Sequence, residues 1–199
     1  MSAGALRVGA LLVLGLLAWS GWQPYDRGTW LLEVLPVLVV LPWLWLTRRR
    51  HPFTPVVLWL VLAHCVVLII GGAYTYARVP LGFALQDLLH LGRNPYDRIG
   101  HFFQGFVPAL AAREILLRGG YVQGRRMLAF LSLCVVMTVS SSYELIEWLV
   151  AVLLGQGADQ FLGTQGDSWD TQWDMFMALV GGSSALLLLS RVQDRQLQR

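Results

Sequence analysis

Six stretches of this chain are each long and apolar enough to cross a lipid bilayer as a helix. A spanning helix needs about 20 mostly apolar residues, with a usable range of about 17 to 25. The sequence therefore predicts an all-α, polytopic transmembrane helix bundle that forms one integral membrane domain over residues 1–199. The six predicted spans are 6–22, 30–46, 54–73, 99–117, 127–153 and 173–190.

The composition agrees with a membrane protein and argues against two other classes. Only 14% of the residues are charged, whereas a soluble domain typically has about 25%. Cys65 and Cys134 both lie in apolar runs without ligand-type spacing, so neither a disulfide nor a zinc site is expected. No basic stripe with stacking aromatic residues is present, so a nucleic-acid partner is not expected.

The arginines predict the orientation of the bundle. All 15 basic residues are arginine, and 11 of them flank one side of the predicted spans. The positive-inside rule assigns that side, with both termini, to the cytoplasm. Loops 23–29, 74–98 and 154–172 are then extracytoplasmic. These loops and the adjoining helix ends hold the other four arginines, Arg27, Arg78, Arg93 and Arg98.

Two segments admit a second interpretation. The first stretch, with Arg7 as its positive flank, resembles a cleaved signal peptide, but the missing Ala-x-Ala site favours a retained helix. The segment "GFALQDLLHLG" is either a short amphipathic helix on the outer surface or a simple ordered loop. In the helical case its lipid-facing residues are Leu81, Phe83, Leu85, Leu88 and Leu89.

Acidic residues and a histidine collect at the predicted outer ends of several spans. Placing an ionisable group in a membrane segment costs roughly 2.5–3.5 kcal/mol, so acids from different helices at one depth predict a shared polar pocket. Three sequence segments contribute most of them. They are "PYDRIGHFFQGF" with Asp97 and His101, "SSYELIEW" with Glu144 and Glu147, and "GTQGDSWDTQWD" with Asp167, Asp170 and Asp174; Glu33 lies at a similar depth.

Several of these residues also have a purely structural interpretation. Asp167 fits the N-cap of the last helix, with Asp170 at its third position, and Asp97 fits a cap of the fourth span. Glu144 or Glu147 can pair with Arg98 or His101 as a polar clamp between helices. His64, near the middle of the third span, fits either a site or the core.

The functional interpretation is a metal-assisted phosphate site. The fourth and sixth spans begin at the outer face beside Arg93 and Arg98, and helix N-termini bind phosphate. Carboxylates beside a phosphate require a bridging divalent cation, with magnesium, manganese or zinc as candidates. The predicted roles are metal ligands (His101, Glu144, Asp170, Asp174), catalytic residues (Glu147 as general base, and His101) and substrate contacts (Arg98, Asp97).

The same segments carry a resemblance. "DRIGHFFQGFVPALAAREILLR", "SSYELIEW" and "FLGTQGDSWDTQWDMFMALVGG" resemble the YjdF-like family of bacterial inner-membrane proteins, a family of unknown function. The order of Asp97, His101, a helical glutamate and paired acids is more distantly similar to the VanZ-like superfamily, although Asp174 stands where that superfamily tends to have asparagine. VanZ-like proteins are associated with resistance to teicoplanin-type antibiotics. The resemblance implies a multi-pass inner-membrane location and contact with envelope lipids or peptidoglycan precursors.

Three functions remain open from the sequence. The first is a metal-assisted enzyme or binder acting on a lipid or lipid-linked phosphate, with membrane lipids as its partners. The second is a small transporter or proton-coupled carrier, which is weakened because no intramembrane acid is expected in the cytoplasmic half to complete a path. The third is a non-catalytic envelope factor whose polar cluster only holds the helices together.

Overall fold

A computed structural model of the chain describes residues 3–154 and 163–198. Every regular element within these residues is an α-helix, which confirms the predicted all-α bundle. The seven helices are α1 (Ala3–Trp22), α2 (Arg27–Thr47), α3 (Pro55–Tyr74), α4 (Pro80–Leu89), α5 (Tyr96–Arg118), α6 (Arg125–Leu154) and α7 (Asp170–Leu197).

Five of the described helices, α1, α2, α3, α6 and α7, are long and apolar enough to cross a membrane. The stretch 99–117, predicted as the remaining span, lies within α5, which has 23 residues but is less apolar. Eleven residues of α5 are buried, and it packs against α3, α6 and α7. The polar side chains of α5 are therefore shielded from lipid by neighbouring helices.

Which side of the membrane each loop faces remains a prediction, and a fusion experiment tests it. Alkaline phosphatase fused after residue 165 should be active, because this enzyme folds only outside the cytoplasm, and a fusion after Arg125 should be inactive. The opposite pattern would reverse the orientation of the whole bundle. Within the predicted outer loop 154–172, residues 155–162 lie outside the described part of the chain.

α1 is part of the bundle. Gly9 lies against the side chains of Trp59 and Leu62 on α3, and Val13 is buried. A glycine at the contact allows two membrane helices to approach closely. Whether this helix is retained or cleaved in the cell stays a prediction.

The segment after α3 forms the short helix α4, which confirms the helical alternative over the simple loop. Leu81, Phe83, Leu88 and Leu89 are exposed on it, and Leu85 is half-buried. Contact of this apolar surface with lipid stays a prediction.

α5 and α7 form the closest helix pair in the described bundle. A methyl group added at Gly105 would overlap the backbone carbonyl of Ala178, and one added at Gly181 would overlap that of Phe102. Small residues at such a crossing let the two backbones touch. The N-terminal turns of α5 and α7 are consequently held side by side at the predicted outer face.

The predicted cytoplasmic end of the bundle is closed by a buried carboxylate. Glu114, fully buried, accepts hydrogen bonds from Thr54 N at 2.8 Å and Thr54 Oγ1 at 2.6 Å. Glu114 also accepts hydrogen bonds from Arg118 Nε at 2.9 Å and from Gln193 Nε2 at 3.1 Å. The expectation that the cytoplasmic half has no buried acid is therefore wrong. Because every neighbour of Glu114 is a fixed donor, the carboxylate acts as a clamp between α3, α5 and α7.

Candidate functional site

His101 lies at the centre of the acidic residues at the predicted outer face. Its Nε2 is 3.6 Å from Asp97 Oδ1 and 3.9 Å from Asp174 Oδ2. On its other side, Nδ1 is 3.7 Å from Glu144 Oε1 and forms a 3.0 Å hydrogen bond with Gln104 Oε1. α5, α6 and α7 thus each contribute to one group, here called the outer cluster: Asp97, His101, Glu144 and Asp174.

The outer cluster has the geometry of a potential cation site. Asp97, His101 and Asp174 each offer one ligand atom, and these atoms lie within 4.8 Å of one another. Oδ1 of Asp174 and Oε1 of Glu144 are buried and have no hydrogen-bond partner among the described residues. A buried acceptor without a partner is costly. Carboxylate oxygens with one imidazole suit a divalent cation such as Mg²⁺, Mn²⁺ or Zn²⁺.

An arginine adjoins the outer cluster on the loop side. The guanidinium of Arg93 pairs closely with Asp170 and lies 3.5 Å from Asp97 Oδ2 and 3.7 Å from Asp167 Oδ2. It also donates to the carbonyl of Gly163 at 3.1 Å. Arg93 therefore neutralises part of the negative charge that the helices bring together.

Arg98, predicted to contact substrate, lies at the rim of the same region. It donates to Asp167 Oδ2 at 2.9 Å, and its guanidinium carbon is 5.2 Å from the centre of the Trp173 ring. The Nε atoms of Arg93 and Arg98 are both buried without a hydrogen-bond partner among the described residues. Two buried donors next to the acidic group thus lack an acceptor among the described residues.

Asp170 occupies a different place from the other predicted metal ligands. Its carboxylate is engaged by Arg93, whereas Asp97 lies beside His101 and Asp174. The geometry thus favours Asp97 over Asp170 as a ligand. The physical reason is that Asp97 and His101 lie four residues apart on one face of α5.

The N-cap interpretations for Asp167 and Asp97 are wrong. The residue that precedes α7 is Trp169, and the residue that precedes α5 is Pro95; neither uses a side-chain cap. Asp167 instead accepts a hydrogen bond from Trp169 N at 2.9 Å in the turn before α7. α5 begins at Tyr96, before the position that a cap at Asp97 requires, and α7 begins at Asp170, after the position that a cap at Asp167 requires. Asp97 and Asp170 therefore lie in the first turns of these helices, where the helix dipole favours a negative charge.

A reciprocal pair of hydrogen bonds joins the two outer loops that carry this region. Asn94 N donates to Gln165 Oε1, and Gln165 Nε2 donates to the carbonyl of Asn94, both at 3.0 Å. The Asn94 side chain is buried and bonds to Val79 O and Tyr96 N. The loop before α7 is thereby held against the start of α5.

Glu147, the predicted general base, lies on the side of the site that faces a cavity. It lines this cavity together with Glu33, whose Oε2 accepts a hydrogen bond from the Tyr143 hydroxyl at 3.1 Å. Tyr76, in the loop after α3, lines it too. Burial, with the nearby Glu33 carboxylate as a smaller cause, raises the pKa of the Tyr76 hydroxyl well above its usual value. Tyr76 therefore remains a neutral hydrogen-bond donor at the cavity wall.

Comparison with known proteins identifies the family. The model of the family described as "Predicted membrane protein (DUF2238)" matches residues 5–195. The chain belongs to this family. It is 54% identical over 194 residues to inner membrane protein YjdF of Escherichia coli (strain K12), covering 98% of this chain and 93% of that relative. No solved structure matches the chain.

These findings confirm the resemblance to YjdF-like proteins and the location of this DUF2238 protein in the bacterial inner membrane. The similarity to VanZ-like proteins stays a prediction. The family model matches nearly the whole chain. The helices and loops that build the outer cluster therefore all lie within the matched region.

The sequence placed Arg93 beside the site, but it did not predict the pairing of Arg93 with Asp170 or its loop contacts. One signal could have indicated that pairing. Arginines are scarce on the outer side, and two of the four there, Arg93 and Arg98, pair with the aspartates of the site. An arginine that departs from the positive-inside pattern next to several acids therefore indicates a local charge partner.

Proposed function

We propose that this DUF2238 protein binds a lipid-linked phosphate at its outer cluster with the help of a divalent cation, and that it can hydrolyse the phosphate ester. One observation carries the proposal. Ligand atoms of Asp97, His101 and Asp174 lie within 4.8 Å of one another, and Asp174 keeps a buried oxygen without a partner.

The charge balance supports a bound cation. Seven carboxylates meet at the outer end of the bundle, whereas Arg93, Arg98 and His101 are the cationic groups beside them in the described residues. Like charges in a low-dielectric site raise one another's free energy, so they require protons or a counter-ion. The seven are Glu33, Asp97, Glu144, Glu147, Asp167, Asp170 and Asp174.

The neighbouring groups support a phosphate ligand. Arg93 and Arg98 retain buried Nε donors, and guanidinium groups bind phosphate through charge-assisted hydrogen bonds. The N-termini of α5 and α7 lie at this level and contribute partial positive charge. The location of the site at a membrane surface makes a lipid headgroup the accessible source of phosphate.

The reaction that such a site supports is ester hydrolysis. A bound divalent cation would lower the pKa of water and polarise the phosphate. The oxygen of water bonds to phosphorus and the ester P–O bond breaks. Glu147 takes the proton of the water and passes it to the departing lipid alcohol, so the products are inorganic phosphate and the free alcohol.

The test is the effect of metal on thermal stability. We expect Mn²⁺ to raise the melting temperature of the purified protein and chelation to lower it, because a ligand that binds only the folded state stabilises it by about 2.7 kcal/mol at 100 times its Kd. Asp174→Asn should remove this response while leaving the helices inserted, since the side chain keeps its size and loses its charge. Tryptophan fluorescence reports the transition.

Asp87→Asn is the matched control, because Asp87 is an exposed acid on α4 and should keep the full Mn²⁺ response. A different result would favour the structural alternative. If the parent protein is insensitive to Mn²⁺ and chelator, and Asp174→Asn is as stable as the parent or more so, the outer cluster only holds helices together and the proposal fails.

A further inference from the structure

An elongated cavity extends from the outer cluster into the membrane-spanning part of the bundle. Its volume is about 270 Å³. Glu33, Asp97 and His101 line its outer end, and Leu44 and Ala111 line its inner end. At about 1.5 Å per helical residue, the 11 residues from Glu33 to Leu44 correspond to a depth of about 16 Å. The cavity thus reaches about half-way through the roughly 30 Å hydrocarbon layer.

The walls below the outer end are apolar. Val40 on α2, Val57 and Val61 on α3, and Val107 on α5 all face the cavity. An empty apolar cavity lowers stability in proportion to its volume, because its walls lose van der Waals partners. A hydrocarbon group is the ligand that such walls accept.

Prolines lie in two of the helices that line the cavity. Pro36 in α2 and Pro108 in α5 both lie within their helices and both line it. A proline inside a helix removes a backbone hydrogen bond and bends the helix. The two prolines therefore favour a gap between the side chains of these helices.

The cavity opens sideways toward lipid between α2 and α6. Trp43 on α2 and Val139 on α6 line it, and they are 44% and 39% exposed, respectively, on the surface of the bundle. Within the described residues, α2 packs mainly on α3 and α6 mainly on α5 and α7, and α2 and α6 do not pack closely together. A lipid chain can therefore enter from the bilayer without crossing water.

We infer that this cavity holds the single hydrocarbon chain of a monoalkyl-type lipid phosphate, whose phosphate lies at the outer cluster; the inference rests on the proposed function for its headgroup. A volume of about 270 Å³ is just below the range of about 300–1,000 Å³ that is usual for small-molecule sites. It suits one chain and is too small for the two chains of a common phospholipid. An isoprenoid phosphate and a single-acyl phosphate share this chemistry.

The inference is tested by chain-length dependence in variants that fill the inner end. The purified protein in nanodiscs is titrated with hexyl phosphate and hexadecyl phosphate, followed by tryptophan fluorescence. Ala111→Trp should weaken binding of hexadecyl phosphate at least tenfold and leave hexyl phosphate unchanged, because only the long chain reaches Ala111. Val40→Trp provides a second filling variant at a half-buried position, and Leu187→Trp, at an exposed position, is the matched control.

Farnesyl phosphate and dodecyl phosphate, which have similar lengths, distinguish the two lipid sources. Tighter binding of farnesyl phosphate indicates an isoprenoid ligand, and equal or weaker binding indicates an acyl ligand. Preference for two-chain phosphatidic acid over every single-chain probe would overturn the inference.

Mn²⁺ binding separates this inference from the proposed function. If Mn²⁺ binds but neither filling variant changes the chain-length dependence, the cavity inference is overturned and the proposed function stands. If Mn²⁺ has no effect while the filling variants abolish the preference for hexadecyl phosphate, the cation site is overturned and the chain-binding cavity stands.

Discussion

Glu114→Leu is expected to lower the free energy of unfolding by about 3–5 kcal/mol, because it leaves several buried donors without an acceptor at about 1–3 kcal/mol each. The substitution replaces the carboxylate by an apolar side chain of similar size at a fully buried position. It leaves Thr54 and Gln193 with buried donors that lose their acceptor, and Arg118 without its carboxylate. The loss acts on three helices because the carboxylate joins α3, α5 and α7.

The effect is measured as a shift in the midpoint of denaturant unfolding of the purified protein, followed by tryptophan fluorescence. Asp87→Leu serves as the control, since it removes a carboxylate from an exposed position on α4 and should change stability little. A loss at Glu114 no larger than that of the control would show that the clamp contributes nothing to folding.

Gly105→Val is expected to cost about 3 kcal/mol, at the upper end of the usual penalty for overpacking a close contact. Even one added methyl group overlaps the carbonyl of Ala178, and the obstacle is backbone that cannot rotate away. α5 and α7 must therefore separate, which moves Asp97 and His101 away from Asp174. The variant should lose both stability and the Mn²⁺ response predicted for the outer cluster.

Gly15→Val provides the comparison for this variant, because a Cβ added at Gly15 lies more than 4 Å from neighbouring side chains and helices. It introduces the same β-branched residue into a helix with no steric conflict. Equal melting temperatures and equal Mn²⁺ responses for the two variants would refute the close-contact explanation.

Hydropathy in the sequence was sufficient to predict the long helices. The residues of a spanning helix must be apolar regardless of their neighbours, so the limits of α2, α3 and α6 follow closely from the sequence. The convergence of Asp97, His101, Glu144 and Asp174 was less determined, since it also depends on the rotation of α5 about its axis. That rotation is set by the contact between Gly105 and Ala178.

Contacts between distant parts of the chain could not be predicted from one sequence. Thr54 is 60 residues from Glu114, and Gln193 is 79 residues from it. Nothing in the local pattern of either segment indicates the other. The helix starts were also misjudged, because Asp97 lies inside α5 instead of capping it, and Asp167 lies in the turn before α7 instead of at its cap.

The polarity of α5 has a consequence for how the protein is made. During synthesis α5 leaves the ribosome before α6 and α7, the helices that later cover much of its surface. Until they arrive, Asp97, His101 and Glu114 would face lipid, at a cost of roughly 2.5–3.5 kcal/mol for each ionised group. α5 is therefore a poor substrate for the insertion machinery on its own. We expect it to enter the bilayer together with the two helices that follow, so that the last half of the protein integrates as one unit.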